Sequence, residues 1–253
     1  AITGVILMVY YVPTPEGAYE SIWRLMTRVP FGELLRDVHR LAAEGMIVFA
    51  VLHMIRTFLT GSHSGERRFT WVTGVLIGLL TLLLTFTGYL LPWDQVSYWA
   101  VTIGTSLASA VPLIGESLSL LMRGSADIGA DGLLRFYLLH VIALPTLAAI
   151  VLGAHYYRVA RKHGISLPAD VEERQLDQAK LEHGTRRIDY LPDILVHEVF
   201  LCCAGLMVLV ISALFLYDAP LERHADPQHT PVNAEAPWFF LWVQGLLKLG
   251  DRT

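Results

Sequence analysis

Charge is scarce in this sequence and cysteine is nearly absent, and each shortage removes a class of protein. Only 17% of the 253 residues are charged against 54% hydrophobic, and the mean hydropathy is +0.48. A soluble domain carries about a quarter charged residues, so the apolar excess here belongs in a lipid bilayer. The net charge of -4 is small and dispersed, which excludes the cationic face a nucleic acid needs. The only two cysteines, Cys202 and Cys203, are adjacent inside the apolar run Val199 to Tyr217. No disulfide framework and no Cys-x-x-Cys-His attachment site can be built from them, and they are expected to be inert, small core residues. Alternating polar and apolar strands are also missing, which excludes a membrane β-barrel.

What is present is a set of long apolar runs. Val38 to Phe58, Trp71 to Trp93, Leu133 to Tyr157 and Ile194 to Tyr217 each approach the ~20 residues that cross a bilayer as a helix. Backbone groups in lipid must be paired within their own segment, so the fold class is an all-α membrane bundle. Ala1 to Val12 is apolar but too short to span, lacks the basic start of a signal peptide, and reads as a helix cut in half. Gln95 to Gly132 has the amphipathic character of segments lying flat on the membrane surface. Three regions are expected: a helical bundle over 1–165, a charged aqueous linker over 166–192, and a rear portion over 193–253 with one span and the apolar run Pro237 to Leu249.

Basic residues orient the chain. Arg56, Arg67 and Arg68 follow the first span, and Arg158, Arg161, Lys162, Arg174, Lys180, Arg186 and Arg187 follow the third; Arg24, Arg28, Arg36, Arg123 and Arg223 lie opposite. The richer side is cytoplasmic, here the n side, and the other is the p side. Arg158, Arg161 and Lys162 therefore read first as a topological signal, although they could also meet anionic groups.

Histidines carry the chemistry. His39 and His53 are fourteen residues apart on the first span, and His140 and His155 are fifteen apart on the third. Fourteen helical steps return to within about 40° of the starting face and climb ~21 Å, and fifteen overshoot four turns by about 60°. Each helix thus offers two imidazoles on roughly one face. If the helices are antiparallel neighbours, His39 meets His140 near the p side and His53 meets His155 near the n side. A single such histidine reads as a hydrogen-bonded core residue; two matched pairs read as two bis-imidazole sites. Zinc wants four tetrahedral ligands, whereas a haem iron takes two axial ones and fills the apolar space with its macrocycle, so two b-type haems are expected.

Gly74 and Gly88 on the second span are again fourteen apart, at the depths of the two pairs, where glycine lets backbone approach a ring. Small-residue packing between helices is the competing reading. Arg36, Arg40 and Arg56 flank the histidines and are expected as haem-propionate partners, interfacial snorkelling being the alternative. Pro145 should kink the third span near His140.

The segments His39-Arg40, Leu52-His53, Thr70-Trp-Val-Thr-Gly74, Thr87-Gly-Tyr-Leu-Leu-Pro-Trp-Asp-Gln95, Arg135-Phe-Tyr-Leu-Leu-His140 and Leu144-Pro145 resemble cytochrome b of the quinol:cytochrome c and plastocyanin reductases, the bc and bf complexes. The fifteen-residue spacing of the second pair resembles the bf branch and its bacterial relatives. This resemblance implies haem b on His39/His140 and His53/His155, and Gly4 as the visible glycine of the pair on the opening helix. It also implies a p-side quinol site, an n-side quinone site, proton translocation, an energy-transducing membrane such as the bacterial inner membrane, surrounding lipid and a homodimer. Expected partners are a Rieske iron–sulfur protein or other high-potential acceptor, a cytochrome c-type subunit, and a separate chain completing the C-terminal helices.

The family's p-side Pro-Glu-Trp-Tyr motif corresponds here to Ala236-Pro237-Trp238-Phe239, so Pro237 replaces the proton-accepting glutamate and Phe239 the tyrosine. Tyr98, Pro237, Trp238 and Phe239 are the candidate quinol-pocket residues, with Glu235 as the substitute proton acceptor. A plain haem b conduit with one quinone site is the alternative function, and a scaffold whose histidines merely pack is a third.

Overall fold

In the computed structural model, residues 1–109, 111–160, 195–231 and 236–250 are described, and they are almost entirely helical. The strand-like pairing among them is one isolated bridge between Asp94 and His224. In chain order the helices are α1 (Ile2–Tyr10), α2 (Pro15–Arg28), α3 (Gly32–Leu59), α4 (Arg68–Tyr89), α5 (Gln95–Ser109), α6 (Gly115–Arg123), α7 (Ala130–Leu138), α8 (Leu144–Arg158), α9 (Leu195–Phe215) and α10 (Leu241–Gly250). The expected linker, 166–192, lies outside the described residues.

Four stretches are long and apolar enough to cross a membrane: Gly32–Leu59, Arg68–Tyr89, Ala130–Arg158 and Leu195–Phe215. They match the four expected spans with shifted ends. The second stops at Tyr89 rather than Trp93, because Pro92 has no N–H to extend the ladder and Trp93 sits at φ 52. On the third, the residues before Pro145 form a π turn, Leu139–Ala143, in which the Leu144 N–H reaches back to the Leu139 carbonyl. The expected kink is thus a widened turn with His140 inside it, the kind of local insertion that recurs at functional positions.

Phe49, Leu52, Leu79, Ile150, Phe200 and Leu201 are exposed on these helices, an outward apolar surface suited to lipid. Cys202 and Cys203 are exposed on α9 as well, which corrects the expectation that they are core residues. In a bilayer the outside of a helix is as apolar as its packed side, so an apolar run does not imply burial.

The chain forms two compact units. The first comprises Ala1–Arg36, Leu82–Thr146 and Ala219–Thr253. Its core gathers Leu90, Trp93, Tyr98, Val101, Leu133 and Phe136. Asp94 caps α5 by accepting the Ser97 N–H at Oδ1 (2.9 Å), while its own N–H donates to Ser97 Oγ (3.1 Å). The other oxygen of Asp94 accepts the Glu222 N–H at 3.1 Å. The Gln95 amide continues this seam, accepting the Asp226 N–H at 2.6 Å and donating to the His229 carbonyl. Segment 219–229 is thereby fastened to the start of α5. Arg123 holds α6 to α5 through Nε–H to Thr105 Oγ1 (2.7 Å) and Nη2–H to the Thr102 carbonyl (2.9 Å).

The second unit comprises Asp37–Thr81 and Leu147–Asp218. Within it Tyr217 donates its hydroxyl to Glu44 Oε1 at 3.0 Å, and Arg40 Nε lies 3.4 Å from the same oxygen. This ties the end of the α9 segment to α3 with a charged pair that shields both ions from hydrocarbon.

Candidate functional site

Helix α4 carries the dipeptide Thr-Gly twice, at Thr73–Gly74 and Thr87–Gly88, and each copy receives one histidine of the third span. In the first unit His140 Nδ1 stands 2.9 Å from the Leu84 carbonyl and 3.3 Å from Thr87 Oγ1. A carbonyl can only accept, so Nδ1 carries the proton and Nε2 keeps its lone pair. Gly88 makes this seat possible: a Cβ there would lie 2.5 Å from His140 Cε1, 2.9 Å from Nδ1 and 3.0 Å from Nε2.

The second unit repeats the device, with the Thr70 backbone and the Thr73 hydroxyl beside His155. Thr73 Oγ1 lies 3.1 Å from the Phe69 carbonyl and 2.9 Å from that of Thr70, which take its single hydroxyl proton. Its lone pair then accepts from His155 Nδ1 at 3.0 Å, which places the ring proton on Nδ1. A Cβ on Gly74 would be 3.3 Å from His155 Cε1. His53, exposed on α3, is close enough to His155 for the two rings to interact electrostatically. His39, half-buried on α3, belongs to the second unit and His140 to the first. Gly4 is half-buried on α1.

The arginines differ in their engagements. Arg36 is 7% exposed and donates from Nη1 to the Ala219 carbonyl and from Nη2 to that of Pro220, both at 2.6 Å, so it anchors the segment after α9. Arg40 lies against Glu44, and Arg56 is exposed on the last turns of α3. Arg158, which the sequence placed with the topological signal, lies with its guanidinium 4.6 Å over the Phe69 ring. Its Nε is buried without a hydrogen-bond partner among the described residues, as is Thr70 Oγ1.

These observations fit an iron porphyrin. Each seated imidazole turns its Nδ1 to an acceptor, a glycine clears space beside it, and the Arg158 Nε–H is buried without a hydrogen-bond partner among the described residues. No three His, Cys, Asp or Glu side chains converge among the described residues, as a protein-only metal cage would require.

The candidate p-side pocket residues fall in the first unit. Pro237 opens a 3₁₀ turn, Trp238–Phe240, while the Ala236 N–H donates to Gln244 Oε1 at 3.0 Å and Trp242 Nε1–H to the Phe239 carbonyl at 2.9 Å. Phe239 is buried against the edges of Trp238 and Phe240, and Phe240 meets Phe86 edge-on at 5.9 Å. Phe86 continues to Phe136 in the same core that holds Tyr98. Tyr98 sits between Trp93 and Trp99 at 5.5 and 5.6 Å, and burial pushes its phenol above the ordinary value, keeping it a neutral donor. Glu235 lies outside the described residues.

Thr73, Thr87 and the Leu84 carbonyl are the site groups that histidine spacing alone did not single out. The signal available was the Thr-Gly pair repeated after fourteen residues, the interval between His39 and His53 and one short of that between His140 and His155.

The cytochrome b/b6/petB family model matches residues 1–163. Cytochrome b6 of Porphyra purpurea is 46% identical over 166 residues, which is 66% of this chain and 77% of that one. A chain of a solved hyperthermophilic respiratory Complex III superposes with a TM-score of 0.81 at 25% identity, covering 98% of this chain. This chain spans 65% of the length of that one. The paired Thr-Gly seats for histidine and a match over most of the sequence lead to one conclusion: the chain belongs to the cytochrome b/b6 family.

Proposed function

We propose that this chain is the dihaem cytochrome b subunit of a quinol-oxidising electron-transfer complex. The observation that carries the reading is the duplicated seat on α4, where Gly88 and Gly74 each admit an imidazole whose Nδ1–H is already spent, leaving Nε2 to ligate. In this reading His39 and His140 hold the p-side haem and His53 and His155 the n-side haem, each supplying a one-electron carrier when bound. The chain's own work is to fix the ligand tautomers, exclude water with apolar spans and balance propionate charge. Arg40, Arg56 and Arg158 serve the last purpose, Arg158 with its unpartnered Nε.

A quinol would bind at the p side beside Trp238, Phe239 and Tyr98, with a Rieske protein or another high-potential acceptor and a cytochrome c-type subunit as partners. Haems held by His39, His140, His53 and His155 would supply the one-electron carriers between that site and an n-side quinone site. Pro237 and Phe239 cannot take a proton, so Glu235 is the proposed acceptor of the quinol proton. The complex is a homodimer in a bacterial inner membrane or its equivalent, with a separate chain supplying further C-terminal helices.

The hydrocarbon character of Pro237, Trp238 and Phe239 favours a second reading, a haem b conduit without bifurcation. In the purified complex, quinol should reduce both haems only while an oxidised high-potential partner is present; reduction independent of that partner supports the conduit. A preparation without two b-type haems per chain, or one that retains both after His53 and His140 are replaced, overturns the primary reading. Glu235→Gln should slow quinol oxidation at unchanged haem content, and an unchanged rate removes Glu235 from the scheme.

A further inference from the structure

Two buried polar atoms of the second unit, Thr70 Oγ1 and Arg158 Nε, have no hydrogen-bond partner among the described residues. Both stand one turn beyond the His155 seat. Thr70 precedes Thr73 by three residues on α4, and Arg158 follows His155 by three on α8. Three residues are about 4.5 Å of helix, and on both helices that step leads toward the n side. The Arg158 guanidinium lies 4.6 Å over the ring of Phe69, the residue before Thr70, so one contact holds the arginine against the first turn of α4.

The reason Thr70 is left over is local. Thr73, Thr81 and Thr87 give their hydroxyl protons to carbonyls four residues back on α4, those of Phe69, Ile77 and Leu83. Helix α4 begins at Arg68, so no carbonyl of that helix lies three or four residues behind Thr70. Its backbone is engaged nonetheless, in a hydrogen bond with His155. Arg158 Nε–H can only donate, and a threonine hydroxyl left without an acceptor also offers a proton. Two donors in a dry place, one of them on a permanent cation, call for an oxyanion.

We propose that Thr70 Oγ1–H and Arg158 Nε–H form an oxyanion seat on the n side, and that the seat takes a propionate of the haem ligated by His155. This rests on the dihaem reading above and deepens it. Thr70 steadies the ligand through its backbone and the carboxylate through its side chain, so one residue couples the two. A propionate carboxylate and a phospholipid phosphate share the chemistry the seat selects. The depth of the seat, one turn from a ligand on the same two helices, favours the propionate.

Valine keeps the shape of Thr70 and the backbone that meets His155, and removes only the hydroxyl. The test is an infrared redox-difference spectrum of the intact complex with carbon-13 in the haem carboxylates, joined to a redox titration and a count of bound phospholipid. Thr70→Val and Arg158→Met should each shift a labelled carboxylate band of the n-side haem, and Thr70→Ser should restore it. Arg158→Met should also lower the midpoint of that haem by about tenfold in its reduction equilibrium, ~59 mV for one electron, because loss of a nearby cation favours ferric iron.

A labelled band that stays in place in Thr70→Val overturns the proposal. So does a phospholipid retained by the wild-type complex and lost from Arg158→Met while the carboxylate bands hold still, which assigns the seat to a phosphate. If Thr70→Val loses the n-side haem, full haem content with the wild-type band in Thr70→Ser supports the seat, and loss from both variants overturns it. Wild-type complex without two haems sinks the dihaem reading as well, so haem count separates the two failures.

Discussion

Replacing Gly88 by alanine adds one methyl group where the geometry has no room for it. The new Cβ would stand 2.5 Å from His140 Cε1, and an ordinary contact begins near 3.4 Å. The imidazole must therefore withdraw by about 0.9 Å, an overpacking adjustment that costs about 1–3 kcal/mol. A retreat of that size away from α4 also opens the 2.9 Å contact between Nδ1 and the Leu84 carbonyl beyond hydrogen-bond range. Alanine gains up to about 1 kcal/mol of helix propensity, so the helix itself survives while the ligand moves. The strain converts to a roughly 5- to 150-fold weaker p-side haem site. Gly74 supplies the control, since its Cβ would approach His155 Cε1 only to 3.3 Å and a few tenths of an ångström suffice. Haem-to-protein ratio by the pyridine haemochromogen spectrum, with a redox titration to say which haem remains, is the assay. Gly88→Ala should lose the p-side haem and Gly74→Ala should keep both. Gly88→Ala complex with two haems at wild-type potentials, or Gly74→Ala complex as depleted as its counterpart, would refute the reasoning.

Arg36→Met fills the same space but strands the Ala219 and Pro220 carbonyls, with an expected loss of about 2–3 kcal/mol; it should lower the Tm and admit protease between 219 and 229, and an unchanged digestion pattern argues against the anchor. Asp94→Ala removes the α5 cap and the acceptor of the Glu222 N–H, costing about 1–2 kcal/mol, and thermal unfolding should show Asp94→Asn to be milder. The Asp226 carboxyl is held below the usual carboxylate range first by the Gln228 N–H and then by the His229 side chain. Because its folded value is depressed, its contribution is present above about pH 4 and fades as pH falls through that lower value. Amide exchange at Gln228 should therefore accelerate on the acid limb in wild type, and Asp226→Asn should flatten that dependence.

The degree to which this site could be read from sequence varied with how local its causes were. His53 and His155 were legible because a fixed helical rise converts spacing into depth, and no other element is needed to say that each helix carries two rings. Arg36 was not: it stands three residues before His39, but its donors go to carbonyls 183 and 184 residues away. Cys202 and Cys203 misled for the reason that makes membranes different, since apolar composition no longer distinguishes inside from outside. Pro145 was read correctly as a disturbance, but a missing N–H can be absorbed by a bend, a break or a widened turn, and the local packing selected the last.

Composition and the four apolar runs by themselves determined that this protein is a helical membrane bundle, and the paired histidines that two of its helices each carry two imidazoles, because bilayer thickness and helical pitch are external rulers. Only the tertiary structure decided which nitrogen of each ring carries the proton. That choice depends on an acceptor from another helix, the Leu84 carbonyl in one seat and the Thr73 hydroxyl in the other, and hydrogen-bond partners across helices leave no periodic trace in a sequence.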